Sequence, residues 1–125
     1  MLLVGVDVVE VSEIADSLAR FGDHYVRRVY TEAEAGAREG PLAVQAVRFA
    51  ECFAAKEAAL KAFGDGDASL DPRSIELLRD LDGRFQLRFS GVASEMARRA
   101  GITVLRVSAS RAGDLVMALV VATGA

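Results

Sequence analysis

The stretch FAECFAAKEAALKAFGDG, residues 49–66, decides the fold that we expect for this chain. Alanine, leucine, lysine and glutamate are strong helix formers, so the stretch predicts the larger part of a long helix. This helix should begin near Leu42, just after Pro41. Gly64 is expected to end it, because glycine is favoured just past the C-terminus of a helix.

One arc of this helix carries apolar side chains and predicts a face packed against a core. The arc contains Phe49, Cys52, Phe53, Leu60 and Phe63. Glu57 and Lys61 stand one turn apart on its flank. The small residues Ala50, Ala54 and Ala58 should leave room for a site there. A glutamate four residues before a lysine is also a common surface ion pair on helices, worth roughly 0.2–0.5 kcal/mol.

The N-terminal residues 2–9 are rich in β-branched side chains and predict a buried strand. One face would carry Val4, Val6 and Val8. Gly5 and Asp7 would lie on the other face, since successive side chains alternate. A buried carboxylate is costly unless a charged partner meets it, which makes Asp7 a candidate site residue. A cap at the strand end is the alternative role.

Length and composition predict one domain over residues 1–125, with 52% hydrophobic residues. The net charge of −3 argues against nucleic acid or an anionic membrane surface as partner. A single cysteine excludes an internal disulfide framework and fits a reducing cytosol. The apolar run 115–122 is far shorter than the ~20 residues that a membrane helix needs. We therefore expect a cytoplasmic protein.

Short helices are predicted between the first strand and the long helix. Ser12 is a favoured N-cap for the first of them, and Gly22 should end it. Its inward face would be Ile14, Leu18 and Phe21. A second helix is predicted over residues 23–29, and Thr31 with Glu34 fits the capping box that opens a third.

The remaining chain is expected to form mainly strands. They are predicted over residues 74–78, 84–89, 102–107 and 115–122. The first two would form a hairpin around the Asp82-Gly83 turn, with a framework role. A helix over residues 91–100 should point Val92 and Met96 inward. The last two strands are so apolar that we expect burial on both faces, by helices or by a neighbouring subunit.

The pattern Phe-Ala-Ala-Lys-Glu-Ala-x-x-Lys-Ala-x-Gly, residues 53–64, resembles the signature helix of the phosphopantetheinyl transferases. It is most similar to the short holo-acyl carrier protein synthase type. The second signature of that family is an Asp in an N-terminal hydrophobic strand, and Asp7 stands within such a strand here. Both motifs occur in the family's order and at about its spacing, and the resemblance covers nearly the whole chain.

The resemblance implies a fold, an assembly and a reaction. The fold is α+β, with a small antiparallel sheet packed on one long helix and short helices at one end. The assembly is a homotrimer with coenzyme A in the cleft between subunits. The reaction moves the phosphopantetheine arm of coenzyme A to a serine of an apo-acyl carrier protein and releases adenosine bisphosphate.

The resemblance also implies the catalytic groups. Asp7 and Glu57 would be ligands of Mg2+, which is usually held by one or two carboxylates and substrate phosphates. Glu57 and Lys61 would be catalytic, and Lys61 would meet the charge that builds on the diphosphate or protonate the departing phosphate. Glu57 could take the serine proton, but the sequence leaves the base open. Lys56 could contact a phosphate or snorkel along the core with its charged end in water.

Coenzyme A would be bound by two further segments. Gly64 and Gly66 would approach its diphosphate, although most glycine pairs are plain turns. In the loop between the last two strands, the family usually has a histidine after two serines. This chain keeps Ser108 and Ser110 and has Arg111 in the place of the histidine.

Two other positions depart from the family pattern. Cys52 stands where relatives often carry an arginine, and we expect it to be a buried small hydrophobe. We expect Arg111 to take over phosphate binding from that arginine. Glu13 stands where an arginine for carrier docking is frequent. The only histidine, His24, should have a surface role.

Carrier docking would use the remaining arginines of the first helices, Arg20, Arg27 and Arg28, for which a solvated helix face is the alternative. The departures at positions 52 and 111 also leave a second function open. This is a non-catalytic paralogue that binds coenzyme A or a carrier protein without transfer. Retention of the three charged residues Asp7, Glu57 and Lys61 favours the enzyme.

Overall fold

The computed structural model describes residues 1–63 and 70–124. The first half contains β1 (Leu2–Glu10), α1 (Val11–Phe21), α2 (Asp23–Val29) and α3 (Leu42–Ala62). The second half contains β2 (Ile75–Arg79), β3 (Phe85–Phe89), α4 (Gly91–Arg99), β4 (Ile102–Ala112) and β5 (Leu115–Gly124). Two short 3-10 turns, Glu34–Arg38 and Pro72–Ser74, precede α3 and β2. The predicted α+β class is confirmed.

The strands form two antiparallel sheets. The larger has the order β1-β5-β4, and β2 pairs with β3 in the smaller one. α3 covers one face of the larger sheet. Phe49 and Cys52 of the predicted arc are buried, but the buried face of α3 consists mainly of alanines. These are Ala46, Ala50, Ala54, Ala55, Ala58, Ala59 and Ala62.

Because its buried side chains are small, α3 allows the backbone of β1 to approach it very closely. A Cβ atom built on Gly5 would lie 1.9 Å from the carbonyl oxygen of Ala58 and 2.6 Å from the amide nitrogen of Ala62. Only glycine therefore fits at position 5. Of the three alanines predicted to leave room for a site, Ala50, Ala54 and Ala58, the last does not leave it, because β1 itself fills the space there. The close contact instead brings the next inward side chain of β1, Asp7, against α3.

The start of α1 differs from the prediction that Ser12 is its N-cap. Glu10 occupies the cap position and makes no side-chain cap bond. Asp114, in the turn between β4 and β5, instead accepts hydrogen bonds from the free amides at the N-terminus of α1. Its carboxylate accepts from the Ser12 amide at 3.0 Å and from the Ser12 hydroxyl at 2.6 Å. Its carbonyl accepts from the Val11 amide at 2.7 Å, so the hairpin turn fixes the direction of α1.

Two aromatic or aliphatic residues that we predicted to point inward are exposed. Phe21 ends α1 with 56% of its surface accessible, and Val92 of α4 has 61%. The buried residue of α4 is Ala93. The predicted capping box is confirmed. The Thr31 amide donates to Glu34 Oε1 at 2.9 Å, and the Glu34 amide donates to Thr31 Oγ1 at 3.2 Å.

The outer face of the larger sheet is open in the single chain. β4 runs to Ala112, so Ser108, Ser110 and Arg111 lie in a strand rather than in the predicted loop. The outer face carries exposed apolar side chains, Leu2, Val4, Val6, Val8, Leu115 and Met117. Burial on both faces is therefore not achieved by the helices of one chain. Across residues 1–63 and 70–124, no helix combines the length and apolarity needed to span a membrane.

Candidate active site

Asp7 and Lys61 meet where β1 crosses α3. Lys61 Nζ donates to Asp7 Oδ1 at 2.6 Å. The Asp7 side chain is only 13% exposed, whereas that of Lys61 is 57% exposed. The charged partner that a buried carboxylate requires is thus supplied by the predicted signature helix.

Glu57 lies one turn before Lys61 and completes a cluster of three charged groups. Burial raises the pKa of Glu57, the negative charge of Asp7 raises it further, and Lys61 acts in the opposite direction. The hydrogen bond to Asp7 raises the pKa of Lys61, and the charges of Asp7 and Glu57 add to this. Two carboxylates therefore share one electrostatic environment beside a lysine that stays protonated.

A cleft of about 470 Å3 opens beside the two carboxylates. Its lining consists of Asp7, Val8, Val9, Glu13, Ile14, Ser17, Tyr25, Phe53 and Glu57. Sequence reasoning did not assign Ser17 or Tyr25 to the site. Only the tertiary fold brings α1 and α2 to the edge of α3, and neither residue belongs to a recognisable motif. Tyr25 is held by a 2.6 Å hydrogen bond between its hydroxyl and that of Tyr30.

The two carboxylates can hold one hard cation only in combination with substrate oxygens. Within residues 1–63 and 70–124, no three His, Cys, Asp or Glu side chains are grouped so as to hold a metal. Mg2+ keeps few protein ligands and is commonly bound by one or two carboxylates together with substrate phosphates. Asp7 and Glu57 fit that arrangement.

Lys56 does not reach this cleft. It is 1% exposed and donates to Glu34 Oε1 at 2.6 Å on the other flank of α3. Both roles considered for it, a phosphate contact and a chain running along the core toward solvent, are wrong. The next residue, Glu57, lines the cleft, so two adjacent residues of α3, about 100° apart around the helix, carry the buried cation and a carboxylate of the candidate site.

Three of the five residues predicted to bind coenzyme A lie away from this cleft in the single chain. Gly64 and Gly66 fall outside the described residues. Ser108, Ser110 and Arg111 are exposed on β4, and none of these three lines the cleft at Asp7. By strand register, Ser108 stands opposite Leu119 and Ser110 opposite Met117. The two serines therefore share the open outer face of the sheet.

Comparison with known proteins identifies the family. The family model of the 4'-phosphopantetheinyl transferase superfamily matches residues 3–120. This chain belongs to that superfamily. It is 43% identical to a holo-[acyl-carrier-protein] synthase of Chloroflexus aurantiacus, over 98% of both chains. A synthase of Chloroflexus aggregans is 42% identical, over 98% of this chain and 95% of the relative.

A solved structure agrees with the sequence relatives. The ACPS-CoA complex of Chronobacterium ammoniagenes superposes with a TM-score of 0.87 at 26% identity, covering 100% of this chain and 98% of that one. The predicted resemblance to phosphopantetheinyl transferases of the holo-acyl carrier protein synthase type is confirmed, and with it the assignment as an enzyme.

Cys52 and Arg111 are two of the positions that we expected to depart from the family pattern. Cys52 is buried, as predicted, and burial followed by the charge of Glu34 raises the pKa of its thiol well above the ordinary value. Arg111 is exposed, and its Nε donates to the Gly113 carbonyl at 2.9 Å. Its charge also acts on Glu51 of α3, together with those of Arg79 and Arg48. Several arginines thus stand around one carboxylate.

The predicted carrier-docking arginines divide into two groups. Arg20 lies 3.5 Å from Asp16 one turn earlier, an exposed pair whose stabilising effect is small. Arg27 and Arg28 line a shallow depression with His24 and Arg73. His24 is exposed, as predicted.

Proposed function

We propose that this chain transfers the phosphopantetheine arm of coenzyme A to a serine hydroxyl of an apo-acyl carrier protein and releases adenosine bisphosphate. The observation that carries this proposal is that Asp7 and Glu57 line one cleft and that Lys61 pairs with Asp7 beside it, in a chain of the matching superfamily. Among the relatives, the Chronobacterium ammoniagenes structure is a complex with CoA, and the curated relatives are named as acyl-carrier-protein synthases.

In the proposed reaction, a bond forms between the serine oxygen and the phosphorus that carries pantetheine. The bond from that phosphorus to the bridging oxygen of the diphosphate breaks, and its electron pair leaves with adenosine bisphosphate. The serine proton passes to a base. We propose Glu57, whose carboxylate lines the cleft, as the acceptor.

We propose that Asp7 and Glu57 hold Mg2+ together with phosphate oxygens of coenzyme A. When bound, the ion would act as a Lewis acid that offsets charge building on the diphosphate. Lys61 supplies a second positive charge. Its exposed ammonium can exchange the hydrogen bond to Asp7 for one to a phosphate oxygen. It can also protonate the departing phosphate.

The remaining cleft lining suits the uncharged part of the donor. Val9, Ile14 and Phe53 form an apolar wall next to the carboxylates. An extended pantetheine arm has apolar segments that such a wall can cover. Glu13 stands in the same lining and adds negative charge near the place where the carrier serine must enter. Carriers with strongly acidic residues beside that serine should therefore be disfavoured.

We further propose that the active assembly is a homotrimer. The exposed apolar face of β1 and β5 is the support for this, because exposed contiguous apolar surface marks interaction sites. Ser108 and Ser110 lie on that same face and away from the cleft of their own chain. A second copy covering the face could bring the two serines to a neighbouring cleft. Arg111 stands opposite the buried Val116 and therefore belongs to the other face of β4.

Intact mass spectrometry tests the proposed function. The protein is incubated with coenzyme A, Mg2+ and a panel of apo-carriers from fatty acid, polyketide and peptide synthesis. We expect at least one carrier to gain the mass of one phosphopantetheine group, and chelation of Mg2+ to abolish the gain. Binding of coenzyme A without modification of any carrier would instead support the non-catalytic paralogue, the reading that Arg111 and Cys52 motivate.

A further inference from the structure

We propose that the buried ion pair between Lys56 and Glu34 positions the catalytic face of α3. Lys56 is then a positioning residue for the transfer reaction, and this inference rests on the proposed function. Lys56 Nζ donates to Glu34 Oε1 at 2.6 Å and to the Pro72 carbonyl at 3.0 Å. It also donates to the Ile75 carbonyl. An ammonium group has three donors, and all of them are used.

Both carboxylate oxygens of Glu34 also accept hydrogen bonds. Its side chain is fully buried, and Oε1 also accepts from the Thr31 amide at 2.9 Å. Oε2 accepts from the Leu77 amide at 2.9 Å. Within the part of the chain that the structure describes, no buried side-chain nitrogen or oxygen lacks a hydrogen-bond partner. The pair thus connects α3 to the turn Glu34–Arg38, to the turn Pro72–Ser74 and to β2.

A buried ion pair of this kind adds little to the net stability of a protein. Removing two charges from water costs several kcal/mol per ion, and apolar replacements of similar volume are often neutral or stabilising. The pair instead fixes the orientation of α3, because each of its hydrogen bonds has a defined geometry. One cation therefore holds the helix to three separate segments.

The rest of the α3 interface resists rotation poorly. The side chains that α3 buries are mostly methyl groups of alanine, and β1 meets it through Gly5. Helices are normally held in register by side-chain ridges that enter grooves, and methyl groups form low ridges. Polar bonds from Lys56 supply the directional constraint that this smooth surface lacks.

Rotation of α3 would move the two catalytic candidates together. On a helix with 3.6 residues per turn, Glu57 and Lys61 stand about 100° and 140° from Lys56, on the cleft side. A rotation of about 20° displaces a Cα atom by about 0.8 Å and a side-chain terminus by more. Asp7, which lies on β1, would not follow. A misplacement of about 1 Å can lower a rate by about 10²-fold.

Two variants separate positioning from stability. Lys56→Met alone leaves the Glu34 carboxylate buried without its cation and should lower the melting temperature strongly. The double variant Lys56→Met with Glu34→Gln removes both charges, but the single Gln oxygen can accept from only one of the Thr31 and Leu77 amides. We expect it to recover part of the lost stability, because no buried charge is left without a partner. Val120→Ala, which opens a small cavity in the core, is the control for lost stability without loss of the pair.

The decisive readout is the split between kcat and KM. We expect the double variant to lose on the order of 10–10²-fold in kcat, with KM for coenzyme A changed by less than about threefold. Val120→Ala should keep its kcat at temperatures where it is folded. A stable double variant with the wild-type kcat would overturn the proposal, because a purely structural pair predicts that result.

A crystal structure of the double variant gives a second readout that needs no turnover. We expect the contact between Lys61 Nζ and Asp7 Oδ1, 2.6 Å in the wild type, to be lost. Retention of that contact would contradict the positioning role. If the wild type modified no carrier, the proposed function would fail, and this structure would still decide whether Lys56 sets the orientation of α3.

Discussion

Lys61 Nζ lies 2.6 Å from Asp7 Oδ1, so α3 and β1 meet through two opposite charges that are 54 residues apart in the chain. The lysine is more than half exposed and the aspartate is nearly buried. The ammonium can therefore turn toward a ligand in the cleft while the carboxylate stays in place. This arrangement places an exposed cation beside a nearly buried anion.

Replacement of Lys61 by alanine should slow the chemical step. Charge stabilisation in the transition state acts on kcat, and the loss of one such group typically costs on the order of 10²–10³ in rate. Coenzyme A affinity, measured by calorimetry, should change far less than kcat. Arg98→Ala, in an exposed pair on α4, is the control and should leave both unchanged. A Lys61 variant that loses affinity but keeps its kcat would make Lys61 a binding residue only.

Arg111 should recognise the phosphate on the ribose of coenzyme A. A guanidinium can grip two phosphate oxygens with its fork of donors, and Arg111 is exposed on β4. We expect the wild type to bind coenzyme A more tightly than dephospho-coenzyme A, and Arg111→Ala to lose most of that preference. Equal affinities for both ligands in both proteins would leave Arg111 without this role and would favour the non-catalytic paralogue.

The exposed face of β1 should hold the assembly together. Val4→Lys places a charge on this face, where Val4 is 51% exposed in the single chain. We expect smaller particles by light scattering and a lower transfer rate. Leu81→Lys, at a fully exposed position, should change neither. For the wild type, dilution should lower the specific activity as the assembly dissociates. A stable and fully active wild-type monomer would exclude the shared cleft.

Glu51 should make the stability of the protein fall as pH rises. Burial raises its pKa above the ordinary value of 4.5, although three arginines oppose the shift. The unfolded chain therefore ionises first, and the folded state loses stability between the ordinary pKa and the raised one. Glu51→Gln should have a higher melting temperature than the wild type at pH 7, and the difference should vanish below about pH 4.

Glu95 is the matched control, because its pKa is shifted in the opposite direction to that of Glu51. Its exposed carboxylate has a pKa lowered by the Arg98 hydrogen bond, so its ionised form favours the folded state at neutral pH. Glu95→Gln should lower the melting temperature slightly or not at all at pH 7. A Glu51→Gln variant that is less stable than the wild type at pH 7 would show that the arginines, and not burial, dominate at Glu51.

Local patterns predicted much of the fold. Helix propensity and the flanking Pro41 placed α3 correctly, and the Thr31 and Glu34 box formed as the spacing indicated. The Asp82-Gly83 turn and its hairpin were also correct to within one residue at each strand end. These features depend on residues that are close in sequence, where propensity and hydrogen-bond spacing decide the outcome.

Long-range partners could not be predicted in the same way. Asp114 caps α1 across 102 residues, and the pair of Lys56 with Glu34 joins two separate elements. Alternation assigned Val4, Val6 and Val8 to one face of β1, but only the fold shows that this face stays open in one chain. For the site, the motif found Asp7, Glu57 and Lys61, whereas Tyr25 became visible only through tertiary packing.

Asp7 and Glu57 are proposed to form one site for Mg2+ and the transferred group. The rate at which an apo-carrier gains phosphopantetheine, followed by intact mass, tests this site in the wild type, Asp7→Asn and Glu57→Gln. Both substitutions preserve side-chain size and remove a charge, so circular dichroism should show folded proteins. We predict that each variant loses at least about 10² in rate and that added Mg2+ does not restore it. A near-normal rate in either folded variant would contradict the two-carboxylate site.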